Sequence, residues 1–155
     1  MFLSLDLGTN TGWAVDDGGP LVSGSMNFKP GRHEGGGMRF LRFKEFLNEM
    51  LRKHGPIEAV YYEEVRNHKG VDAAHVYGGL HAFLTAWCEH NKIPYQGVPV
   101  GEIKRHAAGK GNCGKPEMIA AMRAKGHQHL SDTDDDEADA LAIAHWRRSR
   151  SARAA

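Results

Sequence analysis

Apolar and polar residues alternate in short runs along the first third of the chain. Three such runs, at residues 2–7, 12–16 and 20–28, have the length and composition of β-strands. The turn-forming sequence Asp17-Gly18-Gly19-Pro20 joins the second run to the third. Because short links usually join strands that pair as antiparallel neighbours, this region predicts an antiparallel meander.

After residue 37 the apolar residues recur every three or four positions. This spacing predicts a helix from about Met38 to Lys53, and Gly55-Pro56 stops the pattern. The remaining predicted elements are a strand at 58–63, a helix at about 71–91, a strand at 94–100, a short helix between Pro116 and Gly126, and a last helix that begins inside the acidic segment 132–139. The order β-β-β-α-β-α-β-α-α predicts an α/β fold with a mixed five-stranded sheet and helices on both faces.

Length and composition are typical of one soluble globular domain of 155 residues, 41% of them hydrophobic and 25% charged. We assign residues 1–146 to this domain and residues 147–155 to a basic C-terminal tail. No run of 18 apolar residues is present, and the first residues lack the basic start of a signal peptide. Two cysteines without metal-ligand spacing, Cys88 and Cys113, indicate reduced thiols. We therefore expect a cytoplasmic protein, either bacterial or from a phage-infected cell.

The formal net charge of +1 is unevenly distributed. Six of the 19 acidic residues lie between Asp132 and Asp139, and the rest of the chain has 13 acids against 20 bases. If bound cations neutralise the acids at one site, the remaining surface is basic enough to bind a polyanion.

Four acidic residues lie at the edges of predicted core elements. Asp6 is in the first apolar strand, Glu63 ends the fourth strand, and Asp136 and Asp139 share one face of the last helix because they are three positions apart. If that helix crosses the strand ends, the four carboxylates converge and repel one another unless cations lie between them. Two Mg²⁺ ions, for which Mn²⁺ would substitute, fit this need and could serve phosphodiester hydrolysis.

Each of these acids also has a structural explanation. Asp6 alone is compatible with a turn cap or with a core acid paired to a base. Strand alternation allows only one of Glu63 and Glu64 to face the site. Asp136 could be a helix-capping or solvated acid, which is the interpretation we give to three other acids of the acidic segment, Asp132, Asp134 and Asp135.

Three segments carry a resemblance to a known family. The sequences LDLGTNTGWAV, VYYEEV and DEADALAIAHW resemble the active-site motifs of RuvC-type Holliday junction resolvases, which have a ribonuclease-H-like fold. The resemblance implies that Asp6, Glu63, Asp136 and Asp139 are metal ligands. It also implies a homodimer that uses two Mg²⁺ ions to nick a four-way DNA junction, leaving 5′-phosphate and 3′-hydroxyl ends.

Basic residues in two other segments extend this resemblance. The glycine-rich segment 100–115 is similar to a family loop that places lysines near the scissile phosphate, and Lys104 and Lys115 match best. We add Arg105 and Lys110 as DNA contacts. After the catalytic glutamate, cellular members usually have an aromatic residue that wedges into the junction, whereas this chain has three basic residues. Basic residues favour phosphate contact. In this respect the chain resembles the phage-encoded branch, whose enzymes act on branched DNA more broadly. The three basic residues are Arg66, His68 and Lys69.

The family also places the following helix, here about Ala73 to His90, in its dimer interface. Five side chains could form such a surface, although most of the apolar ones would equally suit a core face. They are His75, Tyr77, His81, Leu84 and Trp87.

Three other functions compete with this interpretation. DLGTNTG is similar to the phosphate-binding hairpin of actin-like sugar kinases, but such phosphotransferases need a second domain for which this chain has no room. A branched-DNA-binding module with a decayed site is a second alternative, although all four acids are present. A ribonuclease H or a transposase-type nuclease of the same fold is the third, and only the substrate distinguishes it.

Overall fold

The computed structural model describes residues 1–68 and 70–154, and of residues 152–154 it describes only the backbone. In chain order the elements are β1 (Phe2–Asp6), β2 (Asn10–Asp16), β3 (Val22–Asn27), α1 (Met38–His54), β4 (Ala59–Glu64), α2 (Val71–Asn91), β5 (Tyr95–Pro99), α3 (Val100–Ala108), α4 (Lys115–Ala124) and α5 (Asp135–Ala154). The five strands form one sheet in the order β3-β2-β1-β4-β5.

The sheet is mixed, as the sequence predicts. Strands β1, β2 and β3 form the antiparallel meander, whereas β4 and β5 run parallel to β1. Parallel pairing of β1 with β4 requires a crossover connection, which α1 supplies. The predicted α/β class with a five-stranded sheet is therefore confirmed.

The sheet separates two apolar cores. Alternate strand residues such as Leu3 and Leu5 pack with α1 and α2, while Ala14 and Val98 pack with α3, α4 and α5. Leu84 and Trp87, which we considered for a dimer surface, are buried in the first core. The second core carries the helix that bears the predicted catalytic acids.

One helix escaped the sequence analysis. Residues 100–108, predicted as the end of a strand followed by a glycine-rich loop, form α3. The fifth strand ends at Pro99, and Gly109 ends α3 in the left-handed conformation at φ 79°. Only Ile103 of this short helix is fully buried, so the apolar pattern that would have revealed it is nearly absent.

Helix α5 lies directly against the sheet because β2 has no side chain at the crossing point. A Cβ atom added to Gly12 would lie 1.8 Å from the Asp136 carbonyl oxygen and 2.9 Å from the Glu137 nitrogen. Gly12 pairs with Asp6 across the β1–β2 ladder. The first turn of α5 therefore lies directly against the β2 backbone, beside Asp6 at the end of β1.

Two polar contacts fix the rest of α5. The buried Glu137 accepts hydrogen bonds from Ser23 of β3 (2.6 Å) and from His129 (2.7 Å). Further along, the buried Asp16 at the end of β2 accepts two hydrogen bonds from Arg148, at 2.6 and 2.9 Å. The segment from residue 147 onward, which we assigned to a basic tail, continues α5 without a break to residue 154.

Among the described residues, none of the helices combines the length and the hydrophobicity that a membrane crossing requires.

We predict that Gly12→Ala lowers the free energy of unfolding by about 3 kcal/mol, because the new methyl group must displace the backbone of α5. Denaturant unfolding followed by circular dichroism measures this loss. The matched control is Gly78→Ala on α2, where an added Cβ meets open space. That variant should be as stable as the parent or slightly more so, and equal effects of the two substitutions would contradict the prediction.

Candidate active site

Two carboxylates meet where the parallel strands β1 and β4 end. Leu5 pairs with Tyr62, so Asp6 and Glu63 are the next residues along their strands. Their carboxyl groups lie close enough that each affects the pKa of the other. Burial, followed by the charge of Glu63, raises the pKa of Asp6 well above its ordinary value of 3.8. Two full negative charges at this place are therefore unfavourable in the absence of cations.

Glu63, and not its neighbour Glu64, faces Asp6. Burial raises the pKa of Glu63 from 4.5, and the nearby Lys104 ammonium acts in the opposite direction. The Glu64 side chain points away and pairs with the exposed Arg66 at 3.2 Å. Strand alternation accounts for this division of two adjacent glutamates.

Helix α5 brings two further carboxylates to the same place. Burial and then the charge of Glu63 raise the pKa of Asp139 from 3.8 to about 7. Asp136 lies near enough for its charge to raise the pKa of both Asp6 and Asp139. The structure thus brings together all four acids that the sequence singled out. We refer to Asp6, Glu63, Asp136 and Asp139 as the acid cluster.

The acids of segment 132–139 make different contacts. Asp132 and Asp134 lie at the surface and make the capping or pairing contacts that the sequence predicts. Asp132 pairs with Arg123, and Asp134 accepts a hydrogen bond from the Ser131 backbone. Asp135 differs, since it binds Lys115 and its charge raises the pKa of Asp6 and Asp139. Asp135 is therefore a fifth acid beside the cluster and not a simple helix cap.

Two lysines lie beside the acid cluster. Lys104, on α3, is close enough for its charge to lower the pKa of both Glu63 and Asp139. Lys115 begins α4 and forms an ion pair with Asp135, which raises the lysine pKa above 10.5. These ammonium groups place positive charge at one rim of a negative site.

The other predicted DNA contacts are spread more widely. Arg66 and His68 follow β4, and the His68 ring packs 4.9 Å from Tyr77. Lys110 follows α3 and pairs with Glu117 at 2.5 Å. Arg105 lies on α3, where it lines a groove against the C-terminal half of α5. Lys69 lies outside the described residues.

Two supporting residues were missed by sequence reasoning. The Asn10 amide donates a hydrogen bond to Asp136, and this orients one acid of the cluster from the first residue of β2. The Tyr77 hydroxyl donates to the Glu63 carbonyl (2.9 Å) and accepts from the Val65 N–H (3.2 Å). Tyr77 thereby fixes the end of β4. The asparagine was visible inside the opening motif, but no sequence signal distinguishes Tyr77 from an ordinary helix-face aromatic.

The chemistry of the acid cluster suits a hard divalent cation. Its donors are carboxylate oxygens, which Mg²⁺ and Mn²⁺ prefer, and their raised pKa values reflect burial and mutual repulsion that a cation would relieve. Within the described part of the chain, no three His, Cys, Asp or Glu side chains close around a single point as in a finished metal site. The carboxylates are thus neighbours that this structure does not bring to ligand distance of one common point.

Comparison with known proteins identifies the relatives of this chain. No family model matches it. Over 147 residues it is 31% identical to a crossover junction endodeoxyribonuclease RuvC from Halorhodospira halophila, covering 92% of this chain and 86% of that protein.

Solved structures agree on the fold. RuvC of Thermus thermophilus, in complex with a Holliday junction substrate, matches with a TM-score of 0.76 and 22% identity, covering 99% of this chain and 95% of that one. The yeast mitochondrial Holliday junction resolvase Ydc2 matches with a TM-score of 0.63 and 15% identity, over 97% and 78% of the two chains. Sequence identity over nearly the whole length, together with the acid cluster at the ends of β1 and β4, shows that this chain belongs to the RuvC family of crossover junction endodeoxyribonucleases.

Proposed function

We propose that this protein is a metal-dependent endonuclease that nicks four-way DNA junctions, leaving 5′-phosphate and 3′-hydroxyl ends. The observation that carries the proposal is the convergence of four carboxylates from three elements, two of which lie at the carboxyl ends of parallel strands. Such strand ends are where α/β sheets usually bind ligands. Membership of the RuvC family supplies the reaction class.

We propose that the acid cluster holds two Mg²⁺ ions, with Mn²⁺ able to substitute. When bound, such ions supply positive charge to the phosphate oxygens and lower the pKa of attacking water. Asp6 is the central ligand, because its pKa responds to the charges of Glu63, Asp136 and Asp139. The Asn10 hydrogen bond keeps one Asp136 oxygen oriented while the other remains available as a ligand.

The two lysines would act on the phosphate itself. Lys104 carries its charge beside Glu63 and Asp139, where it would attract a phosphate oxygen that enters the site. Lys115 is held by Asp135, so its ammonium group is restricted to the rim of the site. An ammonium that is already positioned stabilises the extra negative charge of the transition state without reorganising.

Two symmetric nicks in one junction require two active sites, and we therefore propose a homodimer. Helix α2 is a candidate for the interface. Its exposed side includes Val71, which is 69% exposed, and Phe83, which is 36% exposed and stacks on Phe40 of α1. Contiguous exposed apolar side chains mark surfaces that partners cover, and the stacked Phe83–Phe40 pair supplies such a contact.

The proposed function first predicts a pattern of cleavage. With Mg²⁺, the wild-type protein should nick labelled four-way junctions at paired symmetric positions and should act less on three-way, flap and linear DNA and on an RNA–DNA hybrid. Asp6→Asn should lower the nicking rate by about 10³-fold or more, because the central ligand is lost. It should keep or strengthen junction binding, since one negative charge beside the phosphate is removed.

The control for this substitution is Asp17→Asn, which removes an exposed carboxylate in the β2–β3 turn. Its nicking rate should equal that of the wild type. Preference for the RNA–DNA hybrid would favour a ribonuclease H. ATP hydrolysis without DNA would favour an actin-like phosphotransferase, and unchanged nicking by Asp6→Asn would refute the metal mechanism.

A second prediction concerns stability without DNA. Because the pKa of Asp139 is raised to about 7, its protonation stabilises the folded state, and this contribution is lost as the pH rises through 7. In EDTA at pH 8, Asp139→Asn should therefore melt about 3–6 °C above the wild type, and the difference should shrink as the pH falls below 7.

Mg²⁺ should raise the melting temperature of the wild type at pH 8 but have little effect on Asp139→Asn. Differential scanning calorimetry measures both results. An Asp139→Asn protein that melts below the wild type in EDTA would show that the acid cluster is not under repulsion.

A third prediction separates rate from affinity. Lys115→Ala should slow nicking at saturating junction by about 10²-fold, the usual cost of one charged transition-state contact, and should change the Kd by less than about threefold. The matched control is Lys110→Ala in the same segment, whose ammonium pairs with Glu117 and not with an acid beside the cluster. That variant should retain its rate at saturation. Equal losses of rate and affinity in Lys115→Ala would make this lysine an ordinary backbone contact.

A further inference from the structure

A second basic surface lies at the far end of α5 from the acid cluster. There, α3 and α5 enclose a groove of about 560 Å³ lined by Glu102, Arg105, His106, Trp146, Ser149 and Arg150. An adjoining groove of about 230 Å³ shares Trp146 and Arg150 with it and also contains Arg147. We call the two together the arginine groove.

Two arginines of this groove are stacked on aromatic rings. The Arg147 guanidinium lies 3.2 Å from the centroid of the Phe2 ring, and that of Arg150 lies 4.8 Å from Trp146. Stacking uses the face of a guanidinium and leaves its N–H edge available to bind phosphate oxygens. It also restricts the side chain, so less conformational entropy is lost when an anion binds.

The acids nearby leave the N–H groups of Arg150 largely available. The buried Asp16 makes its short hydrogen bonds to Arg148, and its contact with Arg147 is longer, at 3.4 Å. Glu102 approaches Arg150 only to 3.6 Å, and this acid is itself 44% exposed. Arg148 is thus a structural residue, and Arg147, which is only 19% exposed, lies between Phe2 and Asp16. Arg150, which is 62% exposed, retains donors that face solvent.

Helix α3 connects the arginine groove to the acid cluster. Lys104 on this helix acts on Glu63 and Asp139, and the next residue, Arg105, lines the groove. Positive charge therefore continues from the catalytic rim to the end of α5. With a rise of 1.5 Å per residue, Arg150 lies about 16 Å from Asp139 along the helix, a distance that corresponds to about five base pairs of duplex DNA.

We propose that the arginine groove binds the phosphate backbone of a duplex arm of the DNA substrate, about five or more base pairs from the nicked phosphate. This proposal takes its substrate, branched DNA, from the function proposed above. The exposed side chains of Arg105 and Arg150 line this groove beside Trp146, and α3 joins them to the proposed site for a phosphodiester. This arrangement fits a polyanion that extends across the surface.

Binding measurements test the proposal without cleavage when every protein carries Asp6→Asn. Arg150→Gln should raise the Kd for a long-armed four-way junction about 3–10-fold at 0.1 M salt and reduce the slope of log K against log salt by about one. The matched control is Arg52→Gln, which removes the same charge from an exposed position on α1, on the opposite face of the sheet. This control should leave both quantities unchanged.

A tethered reagent locates the contact. Both native cysteines are buried, so an iron chelate can be attached selectively to Arg150→Cys. Each protomer's cuts should fall within one duplex arm, displaced by about five or more base pairs from the phosphate that it nicks. The same reagent on Arg52→Cys should give no localised cuts.

Two results would overturn the proposal. One is Arg150→Gln binding with the affinity and salt slope of Arg52→Gln. The other is an absence of localised cuts from Arg150→Cys, which would leave the groove to an acidic protein partner. In the nicking-competent background, Arg150→Gln should raise the junction concentration needed for half-maximal rate but keep the rate at saturation. A wild-type protein that failed to nick junctions would refute the nuclease function. The binding measurements would still test the arginine groove, because they do not depend on cleavage.

Discussion

The close approach of α5 to β2 at Gly12 is the constraint on which the site depends. Any side chain at this position would collide with the backbone of Asp136 and move the helix away from the sheet. Because Gly12 pairs with Asp6, the same contact sets the separation between the β1 carboxylate and those of α5. The acid cluster thus depends on the absence of a side chain at Gly12 and on two buried contacts of α5. These are the Glu137–Ser23 hydrogen bond in its first turn and the Arg148–Asp16 pair near its other end.

The assembled carboxylates oppose folding unless they are neutralised. Burial and mutual repulsion keep the pKa of Asp6 and Asp139 high, so protons compete with cations for these carboxylates. Part of the repulsion is offset by the N-terminal end of α5, whose dipole favours negative charge. The Lys104 ammonium offsets a further part. Such a balance lets cation binding and stability reinforce each other, since ions that bind only the folded state also stabilise it.

Sequence alone located much of the fold and the acid cluster, because the informative residues interrupt clear patterns. Asp6 stands in an apolar strand, and Asp139 stands on a helix face of small apolar residues. The choice between Glu63 and Glu64 needed the structure, since alternation alone does not say which face is the site. Helix α3 was missed because it buries little. Asp135 and Tyr77 were missed because their roles depend on partners 20 and 14 residues away.

The continuous helix α5 constrains how the sequence can change during evolution. It carries two acids of the acid cluster at one end and arginines at the other, with small buried residues between them that pack on the sheet. A substitution in that middle stretch that tilts the helix would disturb both ends at once. Selection on either end therefore constrains the whole helix. We expect a lower rate of substitution at its buried alanines than at alanines that only fill space, and these are Ala138, Ala140, Ala142 and Ala144.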